Sequence, residues 1–429
     1  MKVGVISLGC AKNQVDTENM LGILASVGYT FVSDPAEADI LIVNTCGFIV
    51  PAKEESIQAI FEMAQFKEKG TCSVLVVTGC LSERYRKELT EEIPEVDIFL
   101  GVHEYDKLPF LLSKKLNTPY HLADHPGRLL ISPPYRAYLR IGDGCNNHCS
   151  YCAIPLIRGN LESVPIEQLI EEAKRLADNG VTELSVIAQD TSGYGKDLYG
   201  KPQLIRLLNE LSRIDSFKWI RLLYTYPDTV TPELLDTIAS SSNIVHYLDM
   251  PLQHCNDTIL RSMNRRGNKA HIQSILNHLY QHYPDFTLRT TIMVGYPGET
   301  DAQYEELLHF LADNPFDRLG AFTYSPEEGT PASDFPNQIP EELKQERYDR
   351  LMSMQQEISK KRNQRRIGKE LLYFIEATGF DGTFGRTVRE APDADGFVKV
   401  APHYTDEPGK YIPIKIIGAD AYDMLGERI

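Results

Sequence analysis

Over the first hundred residues, short apolar segments alternate with amphipathic ones. Four segments are rich in β-branched residues, as buried strands are, and they lie at 2–9, 38–45, 72–79 and 96–101. The segments between them, such as SIQAIFEMAQF, repeat apolar residues at helical spacing. This pattern predicts an α/β domain over residues 1–103, built as a small parallel sheet covered by helices.

A second alternation follows residues 104–134, which carry proline-containing turn sequences and which we interpret as a linker. Six strand candidates, each followed by a helical pattern, lie at 137–142, 181–189, 219–226, 244–250, 286–295 and 318–325. Six βα units are fewer than the eight of a closed barrel. We therefore expect an open, partial (βα)6 barrel over 135–365, with a long connecting helix over 341–366 at its end.

After Gly368 the pattern changes to short strands separated by turn residues. The strand candidates lie at 371–378, 384–390, 396–401 and 411–419. Such a series is typical of a small all-β module. We expect a five-stranded β-barrel over residues 366–429.

Composition and charge narrow the class of protein. The first apolar run is only about six residues long, too short for a signal peptide, and no uncharged apolar stretch approaches the ~20 residues of a membrane span. We expect a cytoplasmic protein with no membrane partner. The net charge of −16 argues against broad nucleic-acid binding, which needs clustered Lys and Arg, and suits a basic protein partner.

Three cysteines lie within eight residues in GDGCNNHCSYCAIP, at Cys145, Cys149 and Cys152. Structural zinc normally takes four protein ligands, and no further cysteine follows at zinc spacing. We expect His148, inside the loop, to face solvent rather than to bind metal. Three thiolates can instead hold an iron–sulfur cluster, which leaves one iron free to bind a small molecule.

A second set of three cysteines follows three predicted strands of the N-terminal domain. Cys10, Cys46 and Cys80 each come shortly after a strand. The carboxyl ends of neighbouring parallel strands meet at one crevice, which predicts a second three-thiolate site. Ordinary buried thiols would have to repeat the same offset three times. Cys72 lacks it, because it starts a strand, and is expected in the core; Cys255 has no partner set, and we do not expect it to take a direct part in catalysis.

Together, these motifs resemble the radical S-adenosylmethionine (SAM) methylthiotransferases. The resemblance rests on SLGCAKNQVDTE, NTCGFI, TGCLSERY and GCNNHCSYCAIPLIRG, and it extends to a C-terminal module similar to a TRAM domain. KNQVD at 12–16 and IAQDTSGYG at 187–195 are closer to the branch that modifies an aspartate of ribosomal protein S12 than to MiaB, the transfer-RNA branch. Residues 366–429 also hold eight Lys or Arg and eleven Asp or Glu, whereas an RNA-binding module is usually basic.

The resemblance implies two [4Fe-4S] clusters. Cys145, Cys149 and Cys152 would hold the cluster that binds and reductively cleaves SAM, and the resulting radical would take hydrogen from the β-carbon of the target aspartate. Cys10, Cys46 and Cys80 would hold an auxiliary cluster that carries sulfur, which a second SAM methylates. The implied partners are ribosomal protein S12 or the small ribosomal subunit and an electron donor such as flavodoxin or ferredoxin; we expect a monomer.

Other residues are predicted from their places at strand ends and beside the ligands. Gln189, Gln253, Gly295 and Tyr151 are candidates for SAM contacts. Arg158 is placed either to meet the substrate carboxylate or to form a structural ion pair. No acid–base catalytic residue is predicted, because an unactivated C–H bond offers no acidic proton.

Two alternatives stay open on the sequence alone. The first is a MiaB-like enzyme that modifies an adenosine of transfer RNA. The second is a non-catalytic ribosome-binding protein in which zinc staples the cysteines.

Overall fold

A computed structural model describes residues 1–120, 127–401 and 406–429. The N-terminal domain contains a five-stranded parallel sheet in the order β2-β1-β3-β4-β5. Its elements are β1 (Lys2–Ser7), α1 (Ala11–Ser26), β2 (Thr30–Phe31), β3 (Ile40–Thr45), α2 (Val50–Ala64), α3 (Phe66–Lys69), β4 (Val74–Gly79), α4 (Cys80–Glu92), β5 (Ile98–Phe99) and α5 (Leu108–Leu116).

Every residue of the central strands β3 and β4 is buried, because helices cover both faces of the sheet, as in parallel sheets generally. This agrees with the predicted α/β domain. The stretch interpreted as a linker differs from the prediction at its start. Leu108 and Leu112 of α5 pack into the core beside Val74 and Val76, so the N-terminal domain extends beyond residue 103. Residues 121–126 of that stretch lie outside the described residues.

The central domain alternates strands and helices. Its elements are β6 (Arg136–Arg140), β7 (Gly142–Asp143), α6 (Ile154–Arg158), β8 (Glu162–Ser163), α7 (Ile166–Asp178), β9 (Glu183–Ile187), α8 (Lys196–Tyr199), α9 (Leu204–Leu211), β10 (Trp219–Leu222), α10 (Pro232–Ser240), β11 (Tyr247–Asp249), α11 (Asp257–Ser262), α12 (Lys269–His282), β12 (Thr287–Val294), α13 (Asp301–Asp313) and β13 (Arg318–Thr323). Short 3₁₀ helices lie at Pro35–Glu37, Tyr105–Lys107, Pro227–Thr229 and Pro331–Asp334.

All six predicted strands of the barrel are present. Strands β6, β9 and β10 form one parallel sheet and β11, β12 and β13 another. A parallel bridge between Ile220 and Ile244 joins the two sheets. Within the described residues β6 and β13 do not pair with each other, so the barrel is open, as predicted. On its outer side, helices such as α7 bury residues three or four apart, among them Ile166, Leu169 and Ala173.

The chain then forms the predicted long helix and a closed β-barrel. The elements are α14 (Glu341–Gln364), β14 (Glu370–Gly379), β15 (Gly382–Thr387), β16 (Val398–Val400), β17 (Tyr411–Ala419) and β18 (Met424–Arg428). The barrel order is β14-β15-β16-β18-β17. The fifth strand, β18, was not among the four segments that the pattern identified, and residues 402–405 lie outside the described part of the chain.

The β-barrel packs against the central domain through aromatic rings and buried charges. Trp219 of β10 lies 5.0 Å from the ring of Tyr411 and 5.6 Å from that of Phe374. The Arg386 guanidinium donates to both carboxylate oxygens of Glu183, at 3.1 and 2.5 Å, and both side chains are almost fully buried. Of the helices in the described residues, none is long and apolar enough to cross a membrane.

Candidate active site

Six of the eight cysteines line one cavity of about 460 Å³ between the N-terminal and central domains. They are Cys10, Cys46, Cys80, Cys145, Cys149 and Cys152. The two sets come from different domains and are separated by more than sixty residues of chain. The tertiary structure therefore brings the two predicted groups together at one cavity.

The loop after β7 positions the first set. Gly144 has φ +67°, and a Cβ at this position would lie 2.0 Å from the carbonyl oxygen of Asn160, so the tight turn requires glycine. The N–H of Cys145 donates to Gly159 O at 3.1 Å, and the N–H of Cys152 donates to Cys149 O at 3.0 Å. His148 is exposed, as predicted.

The second set lies at the carboxyl ends of three adjacent strands, β1, β3 and β4. Cys10 is the residue before α1, Cys46 directly follows β3, and Cys80 begins α4. Ser56 of α2 fixes the backbone of Cys46, since its hydroxyl accepts from the Cys46 N–H and donates to the Cys46 carbonyl, both at 3.0 Å. Cys72 lies in the hydrophobic core beside α2 and β4, as expected. Cys255 lies in the hydrophobic core of the barrel.

Burial raises the pKa of most of these thiols. It raises the pKa of Cys80 and Cys145 to about 11 and that of Cys152 to about 12. For Cys10 burial acts in the same direction, but the Lys12 ammonium and neighbouring N–H groups bring the pKa below its usual value. Thiols lose their protons when they bind metal, and thiolates are the ligands of iron–sulfur clusters. The chemistry of each set of three cysteines therefore fits an iron–sulfur cluster.

Among the described residues, no three His, Cys, Asp or Glu side chains are gathered closely enough to hold a single metal ion. This spacing does not count against a cluster, because the thiolates of a cluster bind different iron atoms.

Arg158 lies between the two cysteine sets and forms a buried ion network. Its guanidinium donates to Asp16 at 2.7 Å, to Asp143 at 2.8 Å and to the Asn13 amide oxygen at 2.7 Å. The Cys80 sulfur is 3.5 Å away. Of the two roles considered for Arg158, the structure shows the ion pair, and the pair with Asp16 joins α1 to the central domain.

Three of the four SAM-contact candidates line the cavity: Tyr151, Gln189 and Gln253. The side-chain oxygens of Gln189 and Gln253 are buried and have no hydrogen-bond partner among the described residues. Such orphaned acceptors fit a ligand that brings its own donors. Gly295 is not among the lining residues; its Cα faces the Lys344 side chain.

The sequence analysis missed several residues that line the cavity. Tyr224 and Tyr226 directly follow β10, and Arg265 follows α11. The Arg265 guanidinium lies 4.3 Å from the centre of the Tyr226 ring and donates to the Tyr151 hydroxyl at 3.1 Å and to Pro251 O at 2.6 Å. The strand-end position of the YTYP sequence was an available signal for the tyrosines. No local pattern marked Arg265.

Family models match three parts of the chain. Residues 2–101 match the model described as uncharacterized protein family UPF0004, residues 139–311 match the radical SAM superfamily, and residues 367–429 match the TRAM domain. These ranges follow the three domains of the fold.

Solved structures share the fold at low sequence identity. The radical SAM methyltransferase TsrM from Kitasatospora setae aligns with a TM-score of 0.56 and 12% identity, over 77% of this chain and 76% of that one. The cobalamin-dependent radical SAM enzyme OxsB aligns with a TM-score of 0.52 and 11% identity, over 83% of this chain and 56% of that one. At this identity the likeness concerns the fold alone.

Similarity to curated relatives extends along the whole chain. The ribosomal protein uS12 methylthiotransferase RimO of Desulforamulus reducens is 46% identical over 438 residues, 99% of each chain. RimO of Clostridioides difficile is also 46% identical, over 100% of this chain and 98% of that protein. The chain therefore belongs to the RimO family of ribosomal protein uS12 methylthiotransferases, which confirms the family predicted from the cysteine motifs.

Proposed function

We propose that this protein is a radical SAM methylthiotransferase that adds a methylthio group to the β-carbon of an aspartate in ribosomal protein uS12. Family membership over the full length supports the activity and the substrate. The observation that carries the mechanism is the cavity of about 460 Å³ that both cysteine sets line. A carbon held in this cavity can face both the source of the radical and the source of sulfur.

The cofactors are two [4Fe-4S] clusters and SAM. When bound, they supply the radical, the sulfur and the methyl group. We assign Cys145, Cys149 and Cys152 to the radical SAM cluster and Cys10, Cys46 and Cys80 to the auxiliary cluster. Both assignments rest on the cysteine motifs, with their placement on the cavity wall as support.

The chain's own residues bind and orient SAM. Gln189 and Gln253 offer unpartnered acceptors toward SAM, and the Tyr151 ring offers an apolar face to adenine. Gln189 is held in place because its amide donates to Asp143 at 2.7 Å. Gly295 remains a candidate for backbone contact only, since it does not line the cavity.

We further propose a cytoplasmic monomer that receives electrons from a flavodoxin- or ferredoxin-type donor. Both thiolate sets come from one chain, which supports a complete site in one subunit. The acidic net charge of −16 supports a basic protein as substrate.

The direct test offers both possible substrates to the reconstituted enzyme. Anaerobic incubation with SAM, a reductant and either uS12 or transfer RNA is followed by mass spectrometry. We expect a methylthio group on an aspartate of uS12. A product found only on transfer RNA would establish the MiaB-like alternative.

Iron analysis of the same preparation addresses the zinc-stapled alternative. Two [4Fe-4S] clusters require about eight irons per chain. Zinc in place of iron would remove the radical mechanism.

A further inference from the structure

We propose that Lys12 binds the side-chain carboxylate of the substrate aspartate and selects aspartate over its neutral analogues. This inference rests on the proposed function and adds the residue that recognises the substrate's charge. The observation that carries it is a lysine ammonium in the wall of the cavity that forms no ion pair with any described carboxylate, although Cys10 and Asp143 lie near enough to raise its pKa.

Three cationic side chains line the cavity: Lys12, Arg158 and Arg265. Arg158 is neutralised by Asp16 and Asp143. Arg265 donates to Pro251 O and the Tyr151 hydroxyl. Among the described residues, the Lys12 ammonium makes no hydrogen bond and no ion pair within 4.0 Å. The ammonium lies over the face of the Tyr224 ring, 3.7 Å from the ring centre.

The Lys12 side chain is half-buried in the cavity wall. Charges withdrawn from water are usually paired, because removal from water is costly without an opposite charge. The face of an aromatic ring compensates only part of that cost. A carboxylate that enters the cavity would complete the pairing, and it would itself need a cationic partner for the same reason.

The position suits the target carbon. Lys12 lies on the first turn of α1, two residues after Cys10 of the auxiliary set. Tyr224 follows β10 of the central domain, so the contact between Lys12 and Tyr224 joins the two domains. A carboxylate held at Lys12 would lie in the cavity that both cysteine sets line, where both reactions must reach the adjacent β-carbon.

Hydrogen bonds of the backbone also hold Tyr224 in place against the Lys12 ammonium. Tyr224 has φ +60°, a left-handed conformation that costs energy for a residue other than glycine. Its N–H donates to the Asp249 carboxylate at 2.9 Å, and its carbonyl accepts from the Thr191 N–H at 3.0 Å. Asp249 is itself paired with Arg289 at 2.9 Å. These bonds fix the strained backbone that presents Tyr224 to Lys12.

The test is a double-mutant cycle between the enzyme and its substrate. The enzyme variants are Lys12→Met, which keeps the length and removes the charge, and Lys12→Arg, which keeps the charge. The peptides are the uS12 loop with its target aspartate and the same loop with asparagine. Lys87→Met is the matched control, since Lys87 is exposed on α4 and its loss changes the net charge equally.

Peptide affinity is measured by fluorescence anisotropy on anaerobically reconstituted protein, together with iron content and the rate of methylthiolation. A hydrogen bond to a charged group contributes about 1.5–3 kcal/mol, so we expect Lys12→Met to weaken binding of the aspartate peptide by about 10- to 150-fold, at 1.36 kcal/mol per tenfold. Binding of the asparagine peptide and the iron content should not change. Lys12→Arg should retain part of the preference, and Lys87→Met all of it.

Three results would overturn the proposal. Equal weakening of both peptides, or a loss of iron, would place Lys12 in support of the auxiliary cluster. An unchanged preference for the aspartate peptide in Lys12→Met would remove Lys12 from recognition. A wild-type enzyme that methylthiolates neither uS12 nor its peptide would instead refute the proposed function.

Discussion

The buried ion network at Arg158 should contribute measurably to the stability of the contact between the N-terminal and central domains. The perturbation is Arg158→Met, which keeps much of the side-chain volume and removes the guanidinium. Only 1% of the Arg158 side chain is exposed, and its partner Asp16 is fully buried. The substitution therefore leaves Asp16 and Asp143 in the interior without their principal cation.

The magnitude follows from the partners that remain. Breaking a buried pair by removing one member costs about 3–5 kcal/mol. Arg140 still contacts Asp16 and lies 3.3 Å from Asp143, so we expect the lower end, about 3 kcal/mol. With a urea dependence of about 3 kcal/mol per M, the unfolding midpoint should fall by about 1 M.

The assay is urea unfolding of reconstituted protein, followed anaerobically by circular dichroism at neutral pH. Arg158→Lys keeps a charge but loses the forked geometry of the guanidinium. Its unfolding midpoint should therefore lie between those of Arg158→Met and wild type. Arg213→Met is the control, because the Arg213–Glu210 pair lies at the surface, with 71% of the arginine side chain exposed, and its midpoint should not move. A midpoint shift below about 0.2 M in Arg158→Met would refute the reasoning that this network holds the domains together.

Three further predictions address the clusters and the pH dependence. Replacing Cys145, Cys149 and Cys152 with Ala should abolish formation of 5′-deoxyadenosine. Replacing Cys10, Cys46 and Cys80 with Ala should preserve 5′-deoxyadenosine formation and stop methylthiolation. Chromatography measures the first product and mass spectrometry the second, and continued methylthiolation by the second variant would contradict our assignment. Gly79 has φ +94°, and a Cβ at this position would lie 2.4 Å from Thr45 O. Gly79→Ala should therefore displace Cys80 and lower the iron content toward four iron atoms per chain. An unchanged iron content would disprove this. Burial raises the pKa of Glu299 to about 7, above its value in the unfolded chain. The contribution of the protonated Glu299 carboxyl to folding stability is therefore complete below about pH 4.5 and is lost as the pH rises through 7. The stability of wild type relative to Glu299→Gln should decrease across that window in urea titrations, and parallel pH profiles would count against it.

The sequence was sufficient for most of the architecture. The alternation of apolar and amphipathic segments is a local property, and it predicted the α/β domain, six of six barrel strands and the long helix α14. It missed α5, within the expected linker, and the short final strand β18. Both are defined by packing on distant segments: Leu108 by the core beside Val74, and β18 by pairing with β16 and β17.

The sequence by itself also predicted the cluster ligands and the class of chemistry. Cysteine is the residue type that iron–sulfur clusters require, and its spacing in one loop and at three strand ends is visible without coordinates. Only the tertiary structure decided how these residues work together. It placed six cysteines on one cavity, paired Arg158 with Asp16 of the other domain and, within the described part of the chain, left the Lys12 ammonium without an ion pair. These outcomes depend on contacts between residues more than one hundred positions apart, such as Arg158 with Asp16 and Lys12 with Tyr224, and no local pattern encodes them.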